Sequence, residues 1–87
     1  MGLDTVELVL EAERTFGVAV PDDLAQKTET VEEFAHLLYE LKAKTSAPMP
    51  YEDVLIQLQR ITSEMFHLPI ERVVPKARFV KDLGLDQ

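Results

Sequence analysis

The chain has no cysteine, no tryptophan and only three glycines among its 87 residues, and it sets nine Lys and Arg against sixteen Asp and Glu. Without cysteine there can be no disulfide staple and no thiolate zinc site, which suits a reducing compartment. The shortage of positive charge leaves a formal net charge of -7 and an isoelectric point near 4.7. That balance argues against nucleic acid, whose phosphates would repel the chain, and against an anionic membrane surface. It favours partners that carry basic patches. No stretch approaches the ~20 uninterrupted apolar residues of a membrane span. Met1-Gly2-Leu3-Asp4 carries no basic region of the kind that opens a secretory leader, and Val6 stands where a myristoylation signal needs Ser or Thr. The expected location is the cytoplasm.

What the chain does have is 46% hydrophobic residues, enough for a packed core. The length fits one small domain, with an expected radius of gyration of ~12 Å. Burial of roughly 60–65% of the unfolded surface implies modest stability.

Placed at ~100° steps around a helix axis, Leu3–Phe16 gathers Val6, Leu8, Val9, Leu10, Ala12 and Phe16 on a wide arc. Asp4, Glu7, Glu11 and Arg14 occupy the rest. So wide an arc predicts packing on more than one side, and Gly17 is the stop. Val18-Ala19-Val20-Pro21 reads as extended but has no strand to pair with. A short helical turn follows over 22–27, with acids at its positive end.

Thr30-Val31-Glu32-Glu33 spells a capping box and opens a helix over 30–43, with Val31, Phe34, Ala35, Leu37, Leu38 and Leu41 at helical spacing. Residues 45–50 read as a linker. Tyr51–Phe66 is the longest helix, its stripe formed by Val54, Leu58, Ile61 and Met65, with Leu55, Thr62 and Phe66 alongside. Ile70–Val74 suits a helical turn within a loop. Lys76–Gln87 has no sustained period, yet its Phe79, Val80, Leu83 and Leu85 are expected to tuck onto the helices. Phe16, Phe34, Leu38, Val54, Leu58, Ile61 and Phe79 are the expected core. The fold class is all-α, a small bundle.

Chemistry is sparse. His36 and His67 are the only histidines and have no carboxylate pair at ligand spacing, so no metal site is read. Ser46 and Ser63 lack a nucleophile elbow or a partnered base, and the three glycines form no phosphate cradle. No catalytic residue is assigned and no enzymatic activity is expected. Charge, however, is uneven. Residues 1–45 carry ten acids and four bases, residues 46–87 six and five. Asp4, Glu7 and Glu11 fall within ~60° of one another on the first helix. An acidic stripe ordinarily does no more than solvate a helix.

The surrounding letters point further. Leu3-Asp4-Thr5-Val6-Glu7-Leu8-Val9 resembles the start of the second helix of acyl carrier proteins. Phe16-Gly17-Val18, Val20-Pro21-Asp22 and Thr30-Val31 resemble later elements of that family. Val54–Phe66 resembles its first helix. Pro75–Asp86 resembles the loop that leads to its modification site, although here it follows the other segments instead of preceding them. The chain therefore resembles a circularly permuted acyl carrier protein, with 1–44 as the second half of the family fold, 45–50 as linker and 51–87 as the first half. Met49-Pro50-Tyr51 reads like a former N-terminus.

The resemblance implies a four-helix bundle of three main helices plus one short. It implies a shuttle that carries acyl chains on 4′-phosphopantetheine for fatty-acid or polyketide synthesis. The docking surface it implies comprises Asp86, Leu3, Asp4, Val6, Glu7, Leu10 and Glu11, facing basic patches on acyl-processing enzymes. The family's attachment serine is missing: Gln87 follows Asp86, and from the other side Gly2 precedes Leu3. No cofactor is therefore expected on the chain as written. Both termini should lie close together and the chain should be a monomer. A swapped dimer is the outcome if the sequence spans the junction of two tandem carriers. From another class, the alternative is an interaction module with no acyl role.

Overall fold

In the computed structural model, which describes residues 3–85, the chain folds into four α-helices and one 3-10 turn. These are α1 (Leu3–Phe16), α2 (Asp22–Gln26), α3 (Val31–Ala43), α4 (Tyr51–Phe66) and the 3-10 turn Ile70–Arg72. Among the described residues there is no strand, only one isolated bridge between Thr30 and Arg78. The all-helical architecture matches the expected bundle and is compatible with a four-helix acyl carrier fold. Its Cα radius of gyration is 11.7 Å. No helix is long and apolar enough to cross a membrane among the described residues.

Each boundary has a local cause. Gly17 ends α1 at φ 66°, and the N–H groups of Gly17 and Val18 both donate to the Glu13 carbonyl. A side chain at Gly17 would meet nothing within 4 Å, so the backbone angle, not space, calls for glycine. The Glu13 carboxylate then accepts from Val20 N–H at 2.7 Å and fixes the turn into α2. At α3 the Thr30 hydroxyl accepts from Glu33 N–H, while Glu33 accepts from the N–H groups of Glu29 and Thr30. Those two backbone donors hold the Glu33 carboxyl below its usual range. His67 closes α4 in the left-handed conformation at φ 55°, and Ser63 Oγ donates to the Leu68 carbonyl beyond it.

The loop after α4 is fixed by the start of α3. Helices leave their first N–H groups without internal partners. Here Val31 and Glu32 donate to the carbonyls of Ala77 and Pro75, and Phe79 N–H donates to Glu29. Gln59 reaches across from α4 to the Val73 carbonyl at 2.8 Å. Arg78 and Asp82 pair at 3.1 Å, which lowers the Asp82 carboxyl from its usual range and raises the Arg78 guanidinium. So anchored, the loop buries Val73, Ala77, Phe79, Leu83 and Leu85. Phe79 meets Phe34 edge to face at 6.1 Å.

The core is one cluster in which α4 packs against α3 and α1. Phe16, Phe34, Leu38, Val54, Leu58 and Phe79 are buried as expected. Ile61 is the correction: it is only half-buried, and Thr62 takes the fully buried place one position on. The inner stripe of α4 is thus Val54, Leu58 and Thr62. The threonine is tolerated there because its hydroxyl donates to the Leu58 carbonyl at 2.8 Å. A second correction concerns α1. Only Leu8, Ala12 and Phe16 are buried, with Val9 beside them, whereas Val6 and Leu10 are exposed. The bundle covers α1 on one side alone.

Candidate functional site

The outward side of α1 follows from its inward one. Leu8, Ala12 and Phe16 recur at four-residue spacing, so the residues at Leu3, Glu7, Leu10 and Arg14 form the opposite stripe, at i, i+4, i+7 and i+11. Leu3 is 72% exposed, Leu10 55% and Val6 37%. Isolated exposed aliphatics are ordinary, but three on one face of one helix form a patch. Glu7 is exposed among them, while Asp4 and Glu11 lie half-buried on one flank.

Glu11 is also engaged. Arg14 Nη1 donates to its Oε1 at 3.0 Å, and the Thr15 hydroxyl donates to its Oε2 at 3.5 Å. The acids expected to act together are therefore unequal: Glu7 faces outward, Asp4 and Glu11 sit lower. Asp86, Gly2 and Gln87, which complete the expected docking and attachment sites, lie outside the described residues.

Two hollows adjoin α1. A small cleft of about 190 Å³ between α1 and α2 is lined by Val6, Val9, Leu10, Glu13, Asp22 and Gln26. A larger groove of about 520 Å³ lies on the other flank, where Leu8 and Val9 meet Ala25, Phe34, Phe79 and Val80. Thr5 lines its wall, and Lys27 and Lys81 border it. Sequence reasoning did not find this groove. Its walls come from three stretches far apart in the chain, 5–9, 25–34 and 79–81, and the only signal was the apolar content of residues 79–85. The exposed stripe was more accessible: an arc that includes Leu8, Phe16, Val6 and Leu10 is too wide for one packed face.

The histidines serve structure. His36 Nδ1 lies 3.0 Å from Glu40, and its ring packs against Tyr39 and Tyr51, joining α3 to the start of α4. Burial, then the Glu32 charge, raises the Tyr51 hydroxyl above its usual value. Among the described residues no three His, Cys, Asp or Glu are grouped to hold a metal. Ser63 is held at 2.6 Å by Leu68, and Ser46 stands in the linker.

No protein-family model and no solved structure matches the chain. Curated relatives do. The likeness is to acyl carrier proteins. One, from Chloroherpeton thalassium, is 42% identical over 40 residues, 46% of this chain and 50% of the relative. Another, from Rubrobacter xylanophilus, is 55% identical over 31 residues, 36% of this chain and 38% of the relative. The matched stretch thus spans half or less of these relatives. Both are named as carriers, not as enzymes.

Proposed function

We propose that this chain is an acyl carrier scaffold that docks acyl-processing enzymes of fatty-acid or polyketide synthesis and performs no chemistry of its own. The observation that carries the reading is the outer face of α1, where exposed Glu7 stands among exposed Leu3, Val6 and Leu10. Acids and aliphatics together suit brief docking against a basic patch. The charges speed encounter, each exposed pair contributing ~0.2–1 kcal/mol, and the aliphatics add contact without holding the partner long. The docking residues are Leu3, Asp4, Val6, Glu7, Leu10, Glu11 and Asp86. The groove of about 520 Å³ beside this face has mixed walls, with Leu8, Val9, Phe34 and Phe79 apolar and Gln26, Lys27, Glu29 and Lys81 polar or charged.

The chain is one carrier-like domain in permuted order, with 1–44 and 51–87 exchanged about the linker 45–50. Two observations support this. The matches cover 50% and 38% of the relatives, an extent that one half of a permuted chain would give. Thr5, Leu8 and Val9 of α1 also share a groove with Phe79, Val80 and Lys81, so the two segments that adjoin in the family lie side by side. We place the protein in the cytoplasm as a monomer.

The residues present do not fit a phosphopantetheine arm. Gln87 and Gly2 offer no hydroxyl, Thr5 is half-buried in the groove wall, and Ser63 is bonded within the loop. The scaffold therefore docks without being loaded. The test mixes it with a serine-bearing acyl carrier protein, a phosphopantetheinyl transferase and coenzyme A, followed by mass spectrometry. The expected result is slower loading of the serine-bearing carrier and no mass gain on this chain. A gain of one phosphopantetheine arm would refute the unloaded state. Unchanged loading of the competitor at excess scaffold would refute docking.

A further inference from the structure

The outermost stripe of α1 reads Leu3, Glu7, Leu10, Arg14, so its charges have opposite sign about two helical turns apart, ~10 Å along the axis. Arg14 keeps 77% of its side chain exposed while pairing with Glu11, whose side chain keeps 35%. Thr15 adds a second donor to the same carboxylate. Glu7 makes no ion pair with any described residue. A face that is acidic in composition is therefore open to cations at its middle and closed to them at its C-terminal end.

We infer that Arg14 determines partner selectivity by withholding Glu11 from basic partners, an inference that rests on α1 being the docking face. The partner it fits groups its cations over Glu7 and the N-terminal turns, sets an apolar side chain on Leu10, and has no cation over Arg14. A uniformly basic patch of greater length is disfavoured twice: Arg14 repels its far end, and Glu11 is already paired with Arg14. Removing Arg14 should extend the acidic surface by one carboxylate.

The test is a double-mutant cycle at low salt, titrating a phosphopantetheinyl transferase with the full chain. Arg14→Gln should tighten binding by roughly two- to fivefold, the range that an exposed ion pair of ~0.4–1 kcal/mol would release. Glu11→Gln alone should change affinity less than Glu7→Gln does, because its carboxylate is already occupied. In the Arg14→Gln background, Glu11→Gln should abolish the gain. A gain that persists without Glu11 would mean that Arg14 acts through net charge alone and would overturn the proposal. So would a Glu11→Gln loss in the parent as large as that of Glu7→Gln. Glu7→Gln also separates this inference from its premise. If that variant binds as the parent does, the docking reading fails and takes the proposal with it. If Glu7→Gln weakens binding while Arg14→Gln leaves it unchanged, docking stands and the role of Arg14 is refuted. Thermal melts of each variant confirm that folded chains are being compared.

Discussion

Helices α1 and α4 are nearly the same length and both carry an apolar stripe, yet the bundle treats them differently. On α4 the stripe of Val54, Leu58 and Thr62 is sealed between α1 and α3, and one large aliphatic, Ile56, is left exposed. On α1 the stripe of Leu8, Ala12 and Phe16 is equally sealed, but Leu3, Val6 and Leu10 remain outside. A lone exposed Ile is what any small domain shows, because such a surface cannot be wholly polar. Three aliphatics around an exposed Glu on one helix are not required by folding. The comparison teaches that the inner half of α1 belongs to the core, while the outer half is left uncovered by the bundle and is the face proposed above for docking.

The sharpest way to break this comparison is to truncate one leucine on each side of it. Leu58→Ala should cost about 2–5 kcal/mol in urea denaturation, since the residue is fully buried. Leu10→Ala should stay within ~0.5 kcal/mol. Equal losses would place Leu10 in the core and remove the partner face. Next in size is the α3 cap. Thr30→Ala removes the hydroxyl that accepts from Glu33 N–H and should cost about 0.5–2 kcal/mol, read the same way. His67→Gly should raise stability by about 0.5–1 kcal/mol, because a left-handed backbone strains a residue with a Cβ.

The smallest effect is acid-dependent. Glu33 and Asp82 both have carboxyls lowered in the folded state, by the backbone donors of Glu29 and Thr30 in the first case and by Arg78 in the second. A depressed folded value contributes stability above the unfolded value, and that contribution is lost as pH falls through the folded one. Melting temperature should therefore drop on acidification below about pH 4, the ordinary carboxylate range. Glu33→Gln with Asp82→Asn should flatten that drop. Both groups are exposed, so solvent screening keeps the effect small.

The helices were legible because each carries its own boundary signals: Gly17 after Phe16, the Thr30 and Glu33 box, Pro50 ahead of Tyr51. The position of the buried polar residue was not, since Ile61 and Thr62 are neighbours on the stripe and apolarity alone favours the isoleucine. Only the hydroxyl bond to Leu58 reverses that choice. The residues of the proposed docking face could be named from the sequence, but their unequal exposure and pairing could not. These depend on the Arg14–Glu11 pair and on which side of α1 the loop of residues 67–85 covers. That loop has no period to read, because it is held by α3 backbone donors and by Arg78–Asp82 rather than by a repeating pattern.

The central claim, that the outer face of α1 meets a basic partner, is tested most directly by calorimetric titration of a phosphopantetheinyl transferase. The chain and its Glu7→Lys variant are compared at low and at physiological salt. The account predicts that the substitution weakens binding several-fold at low salt while stability stays within ~0.5 kcal/mol. The two affinities should converge as the screening length shortens to ~8 Å. Equal affinities at low salt would contradict it and leave the acids of α1 as solvation of an ordinary helix.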